Sequence, residues 1–142
     1  MGQDVFISYA SKDRATADAV CQLLEARGIP CWMAPRDILP GANWAESIID
    51  AIAAARVMVL IYSGSANESV QIHREVERAV HRGLTVVPLR IENTPPSKTM
   101  EYFISAPHWL DALTPPLDQH VERLAAGLKL LLSRPANRHG AE

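Results

Sequence analysis

The sequence predicts an α/β domain with a doubly wound, mostly parallel sheet. Short apolar runs rich in β-forming residues alternate about five times with stretches of helical period. One of these runs, Val57–Ser63, is almost continuously apolar, as is typical of a strand buried on both faces of a parallel sheet. The chain has 142 residues, 48% of them hydrophobic, which is enough for the core of one domain.

Each predicted strand is a short apolar run bounded by turn or loop residues. The five runs are Asp4–Ala10, Ile29–Met33, Val57–Ser63, Leu84–Ile91 and His108–Leu113. The second run contains Pro30, which cannot donate a backbone hydrogen bond, so we expect this strand at an edge of the sheet.

Each predicted helix has apolar residues at helical spacing. The four helices are Ser11–Gly28, Trp44–Arg56, Ser69–Val80 and Pro116–Arg134. Gly28 is typical of a helix C-terminus, and Asn43 is well placed as the N-cap of the second helix. The segment before the fifth strand is irregular, with room for one helical turn. The domain is expected to span residues 1–134, with 135–142 as a disordered tail or linker.

Composition excludes several classes of function. The net charge of −2 gives no bulk affinity for nucleic acid or acidic membranes. Cys21 and Cys31 match no metal motif and are expected to be buried free thiols, as in a reducing compartment such as the cytoplasm, although one disulfide is the alternative. The N-terminus does not resemble a signal peptide, and no apolar run approaches the ~20 residues of a membrane span.

Common catalytic motifs are missing from the sequence. No loop has the form of a dinucleotide-binding or Walker-type phosphate loop. The third predicted strand ends "LIYSGS" without an aspartate, which excludes a phospho-acceptor receiver, and "YSGSAN" is not a serine hydrolase elbow. The histidines are scattered, and His73 and His81 are interpreted as surface residues, so no metal site is predicted.

In a doubly wound sheet the ligand site lies beyond the carboxyl ends of the strands. The loops there are "ASKD", "APRDILPGAN" and "SGSANES". The second is longer than the usual two to six residues of such connections, and long loops tend to be functional. It carries Arg36 and Asp37, and Trp44 follows it.

The third predicted helix carries a carboxylate beside its apolar stripe. That stripe consists of Ile72, Val76, Ala79 and Val80. At about 100° per residue, Glu75 falls roughly 80° from the centre of the stripe and Glu77 roughly 120°. Glu75 is therefore the acid nearest the protein body. From the pattern alone it is either a group facing the crevice or a boundary residue paired with Arg74 or Arg78.

Five motifs, in order, resemble the Toll/interleukin-1 receptor (TIR) domain in its bacterial form. They are "FISY" in the first strand, "PRDILPG", "VLIYS" in the third strand, "REVERA" in the following helix, and "HWLDAL". The resemblance runs from Asp4 to about Ser133. It implies a flavodoxin-like α/β fold with five strands, in agreement with the independent prediction. Residues Pro35–Gly41 correspond to the BB loop of the family.

The resemblance also implies an activity and a site. Many TIR domains cleave NAD+ to nicotinamide and ADP-ribose or a cyclic isomer, with a catalytic glutamate that matches Glu75. The positions implied to bind or border the substrate are Tyr9, Ala10, Ser11, Asp37, Leu39, Gly41, Trp44 and Gln71. The family pattern W-x-x-x-E departs here, because Gln71 stands in place of the tryptophan.

A lone carboxylate suits this chemistry. Glycosidases need a second carboxyl group to protonate the leaving group, whereas nicotinamide leaves NAD+ as a neutral base. One glutamate can then stabilise the oxocarbenium-like transition state. NAD+ is thus expected as substrate, with no cofactor, in an immune, antiphage role activated by self-association through the BB loop. The alternative is a non-catalytic scaffold or mimic that acts through TIR–TIR contacts.

Overall fold

A computed structural model describes residues 3–104 and 109–133 of the chain. Its centre is a five-stranded sheet in the order β2-β1-β3-β4-β5, and every strand pairing is parallel. The strands are β1 Val5–Ser8, β2 Cys31–Trp32, β3 Val57–Tyr62, β4 Thr85–Arg90 and β5 Leu110–Asp111. This is the flavodoxin-like order, so the predicted fold is confirmed.

Burial explains the position of each strand. All six residues of β3 are buried, and β3 lies between β1 and β4 as its apolar sequence predicts. The second strand is at the edge, as Pro30 indicates. The predicted fifth strand, His108–Leu113, is shorter in the structure, and His108 lies outside the described residues.

In the described part of the chain, six α-helices connect or flank these strands. They are α1 Arg14–Ala26, α2 Trp44–Ala54, α3 Gly64–Glu68, α4 Val70–His81, α5 Lys98–Phe103 and α6 Leu117–Leu132. A short 3-10 turn, Ser11–Asp13, precedes α1. The Asn43 side chain accepts a hydrogen bond from the Glu46 amide at 3.0 Å, which confirms the predicted N-cap. The predicted tail, 135–142, lies outside the described residues.

Two separate apolar cores cover the two faces of the sheet. Side chains of α1 and α6 pack on one face. Side chains of α2, α4 and α5 pack on the other, around Ile52, Ile72 and Met100. The two cysteines are buried and free, as predicted, on the face of α1. None of the helices in the described part of the chain is long and apolar enough to cross a membrane.

The connectivity fixes where a ligand site is expected. The strand order reverses between β1 and β3, because the chain leaves β1 toward one edge and returns to build the other side. In open parallel sheets the crevice for a ligand lies beyond the carboxyl ends of the strands at this switch point.

Candidate active site

A cleft of about 1130 Å³ opens on the sheet face covered by α2 and α4. Its walls come from β1 and the residues that follow it, from Ala34 and Pro35, and from one side each of α2 and α4. Ligand sites for small molecules span roughly 300–1,000 Å³, so this cleft is large enough for a ligand of dinucleotide size.

Glu75 lies in the wall of this cleft and is only 8% exposed. The Ser8 hydroxyl donates to Glu75 Oε1 at 2.8 Å, and Gln71 Nε2 donates to Glu75 Oε2 at 2.8 Å. Ser8 is the last residue of β1, whereas Gln71 lies one turn before Glu75 in α4. Each carboxylate oxygen therefore has one fixed donor and keeps a lone pair for a further partner.

Burial raises the pKa of Glu75 above its usual value of 4.5, because desolvation disfavours the charged form. The hydrogen bonds from Gln71 and Ser8 act in the opposite direction, since both donors favour the carboxylate. The site thus holds a poorly hydrated acid that two neutral donors keep in place. Perturbed acids of this kind, in clefts, are typical of functional sites.

The structure places Glu75 deeper than the helical projection predicts. The projection counts Val80 as part of the apolar stripe, but Val80 is 42% exposed. The buried side of α4 consists instead of Ile72, Glu75, Val76 and Ala79, so its centre is rotated toward Glu75. The alternative pairing with Arg74 or Arg78 does not occur in residues 3–104 and 109–133, where Glu75 takes part in no ion pair.

Four further residues of the predicted site line the same cleft: Tyr9, Ser11, Trp44 and Gln71. The Tyr9 hydroxyl donates to the carbonyl of Ala34, which ties the end of β1 to the residue before the BB loop. Trp44 begins α2 and is 57% exposed, so its indole forms an accessible aromatic surface at the cleft.

The other four predicted site residues do not line the cleft. Ala10 is buried, and its carbonyl accepts from the Asp13 amide at 2.8 Å to begin the 3-10 turn. Leu39 is 73% exposed on the BB loop. Gly41 has a φ of 81°, a left-handed conformation that a side chain would strain. In this structure Ala10 and Gly41 set the course of the backbone, and Leu39 is exposed on the BB loop.

Asp37, the fourth, holds the start of the BB loop together. Its Oδ2 accepts from the Met33 amide at 3.0 Å and from Arg36 Nη2 at 2.7 Å. Arg36 in turn donates through both terminal nitrogens to the Glu25 carboxylate, each at 2.9 Å, and to the Cys31 carbonyl at 2.7 Å. These bonds join the loop to α1 and β2, so the loop begins from a fixed base.

The structure adds residues to the cleft that the sequence prediction left out. The charged or titratable ones are Arg14, Arg74, Glu77, Arg78 and His81, which line its walls. Ser8, which was also left out, is buried and does not line the cleft, but its hydroxyl holds Glu75. Arg74, Arg78 and His81 lie on α4 and have a sequence signal, because positions 71, 74, 75, 78 and 81 are three or four residues apart and so share one face of a helix. Ser8 has none, since it is 67 residues from its partner.

Comparison with solved structures agrees with the fold. The TIR domain of the Toll-related receptor TRR-2 from Hydra magnipapillata superposes with a TM-score of 0.71 at 23% identity, covering 93% of this chain and 99% of that one. The TIR domains of the activated Roq1 resistosome give 0.74 at 14% identity, covering 89% and 99%. A metazoan TIR-STING receptor from C. gigas gives 0.66 at 21% identity, covering 95% and 42%.

Sequence comparisons point the same way. A curated relative, the stimulator of interferon genes protein of Magallana gigas, is 26% identical over 140 residues, which is 86% of this chain. The chain spans about a third of that relative's length, 34%. The family model for the TIR domain matches residues 5–125, which is most of the chain. The protein therefore belongs to the TIR domain family.

Proposed function

We propose that this TIR domain is an NAD+ nucleosidase that breaks the bond between nicotinamide and its ribose, with Glu75 as the catalytic residue. The observation that carries the proposal is the buried Glu75 carboxylate, held by Ser8 and Gln71 in the wall of a cleft. The family includes members with this activity, and Glu75 matches their glutamate.

The chemistry needs only one acid. As the glycosidic bond breaks, its electron pair moves to the pyridinium nitrogen, so nicotinamide leaves neutral and the ribose becomes an oxocarbenium-like cation. A carboxylate close to the ribose hydroxyls stabilises that positive charge, and its effect is greater in a partly dehydrated cleft than in water. Attack by water then gives ADP-ribose, whereas attack by a group of the same molecule gives a cyclic isomer.

Gln71 has a defined part in this proposal. Where relatives carry tryptophan, it donates a hydrogen bond to Glu75 and orients the carboxylate. The aromatic surface that the family places at this position is then supplied by Trp44, which lines the same cleft from α2.

The direct test is incubation of concentrated protein with NAD+, with nicotinamide and the other products separated by chromatography. We expect release of nicotinamide by the wild type and loss of release in Glu75→Gln. Absence of nicotinamide release from concentrated wild-type protein would reject the enzymatic proposal in favour of a scaffold.

Self-association is proposed as the condition for full activity. Leu39 on the BB loop and Trp44 beside it are 73% and 57% exposed, and such large apolar side chains are frequent at protein contacts. The same exposed side chains would also serve the second candidate function, that of a non-catalytic TIR scaffold. Activity per molecule that rises with protein concentration and falls in Leu39→Asp supports assembly of an enzyme. Association without turnover supports the scaffold.

The proposed setting is cytoplasmic immune signalling, in a bacterial cell as an antiphage response. The proposal is supported by the structurally similar TIR domains, which include those of a Toll-related receptor and of a resistosome that recognises a pathogen effector. The two buried free thiols suit a reducing compartment. Protection of cells against phage by the wild type, and not by Glu75→Gln, tests this role.

A further inference from the structure

Basic side chains in the cleft have no part in the proposed bond cleavage. Arg74 and Arg78 both line the wall that α4 contributes, beside Glu75. Across residues 3–104 and 109–133, neither arginine forms an ion pair with an acidic side chain, and this includes Glu77, the second acid at the cleft. Within the described residues, the cleft therefore presents two guanidinium groups that are not in direct contact with a carboxylate.

Local helix electrostatics do not account for this pair. Arg74 and Arg78 are four residues apart, so their Cβ atoms lie about 5–6 Å from each other, and like charges at this spacing destabilise a helix. A basic residue in the last turn is favoured by the helix dipole, which explains Arg78. Arg74 lies in the middle of α4 and gains nothing from the dipole. An anionic ligand between the two side chains would offset their repulsion.

The connectivity of NAD+ places an anion at this point. Its diphosphate is bonded through the 5′ oxygen to the same ribose that must approach Glu75. Arg74 is adjacent to Glu75 in the chain, and Arg78 is three residues further on, a rise of about 4.5 Å along the helix. When the ribose is held at Glu75, the diphosphate attached to its 5′ oxygen therefore lies within about the length of one sugar, in the region that the two arginines border.

We propose that Arg74 and Arg78 form a phosphate subsite that binds the diphosphate of the substrate. This subsite makes the cleft selective for nicotinamide nucleotides over nicotinamide riboside, which has no phosphate group. This inference rests on the proposed function, since it uses the ribose position at Glu75. Arginine suits the task because its planar guanidinium group can bind two phosphate oxygens at once. Arg14, which lines the cleft from the start of α1, forms an ion pair with Asp18 at 3.8 Å and is not part of the subsite.

The test measures binding separately from turnover. Titration calorimetry with NAD+ and with nicotinamide riboside is carried out on the Glu75→Gln protein, alone and with Arg74→Gln or Arg78→Gln added. Arg82→Gln is the matched control, because Arg82 is an exposed arginine at the C-terminal end of the same helix that does not line the cleft. Thermal unfolding of every variant checks that these substitutions of exposed residues leave the fold intact.

We expect each cleft substitution to weaken NAD+ binding about tenfold, as for loss of one charge-assisted hydrogen-bonding group. Binding of nicotinamide riboside should change far less, and Arg82→Gln should bind both ligands like its parent. The NAD+ affinity of the parent should also fall as salt is raised. In the wild-type background, the same substitutions should raise KM for NAD+ more than they lower kcat.

Equal NAD+ affinity in the two cleft variants and the Arg82 control overturns the inference, as does an equal loss for NAD+ and nicotinamide riboside. No NAD+ binding by the Glu75→Gln protein overturns it too. Failure of the proposed function has a different signature, namely no nicotinamide release by wild type. Arginine-dependent NAD+ binding without release leaves the phosphate subsite standing and removes the catalytic assignment.

Discussion

Replacement of Glu75 by glutamine should greatly reduce activity and at the same time stabilise the fold. The pKa of Glu75 is raised above 4.5 by burial. The folded protein therefore binds this proton more readily than the unfolded chain does, and its stability falls as pH rises through the folded-state pKa. Ionisation of this 8% exposed carboxyl as the pH rises therefore costs stability, and a neutral amide removes that cost.

The hydrogen bonds in the site can survive this change. Ser8 can still donate to the side-chain oxygen at position 75, and the Gln71 amide can turn so that its oxygen accepts from the new amide nitrogen. We therefore expect a gain of about 1 kcal/mol in the free energy of unfolding, typical of replacing a functional group whose burial is costly. For a chain of this size that gain raises Tm by about 3 °C. Loss of the charge should lower kcat by about 10²–10³-fold.

The assays are thermal unfolding at pH 7.5 and pH 4.0 and nicotinamide release from NAD+. The stability gain should be larger at pH 7.5 than at pH 4.0, because the raised pKa of Glu75 favours the protonated form in the folded protein at low pH and the cost of burying its charge is then lost. Glu77→Gln is the control, since Glu77 is an exposed acid on the same helix, and its Tm should change by less than about 1 °C. A lower Tm for Glu75→Gln at pH 7.5 would refute the burial argument, and unchanged nicotinamide release would refute the catalytic one.

Three further predictions concern the groups around the carboxylate. NAD+ cleavage should increase with pH as Glu75 ionises. Ser8→Ala should move the midpoint of the kcat–pH profile to higher pH, because the hydrogen bond that it removes favours the charged form of Glu75. A midpoint that moves to lower pH contradicts this. Arg36→Lys should lower the free energy of unfolding by about 1 kcal/mol and speed protease cleavage of the BB loop, since lysine cannot reproduce the forked bonds; wild-type cleavage kinetics would show that the anchor is dispensable. Tyr9→Phe should cost about 1 kcal/mol and raise KM for NAD+ through the freed carbonyl of Ala34, and unchanged Tm and KM would remove Tyr9 from the support of the cleft.

Strand locations follow from the sequence, but strand ends depend on bonds that no local pattern shows. The predicted strand Ile29–Met33 is reduced to Cys31–Trp32 because Pro30 has no amide hydrogen and the amides of Ile29 and Met33 have other acceptors. The Ile29 amide donates to the Leu24 carbonyl at 3.1 Å, and the Met33 amide donates to the Asp37 carboxylate at 3.0 Å. Residues whose donors are used in this way cannot extend a ladder.

The short helix α3, Gly64–Glu68, was not predicted because glycine and asparagine disfavour helices. It forms because the buried Ser63 hydroxyl accepts from the Ala66 amide at 3.1 Å and caps the first turn. Local capping chemistry thus outweighs the propensity of the residues inside the helix.

The candidate site divides in the same way. Helical spacing singles out Glu75 among the acids of α4, because periodicity is a local property. Its burial and its bond to Ser8 depend on how α4 packs against β1, which joins residues 67 positions apart. The exposure of Val80, near the end of α4, is a tertiary property too. Its position agrees with the apolar stripe of the helix, and the sequence does not show that this end of the helix is not covered by the rest of the protein.

The two edge strands of the sheet limit how copies of this domain can associate. Both β2 and β5 have only two residues, so an incoming strand would find few backbone groups to pair with at either edge. Strand addition, which propagates into fibres, is thereby disfavoured. Assembly must instead use side-chain surfaces of loops and helices. Such contacts can be dissolved by dilution, so an assembled form of this protein should be reversible rather than amyloid-like.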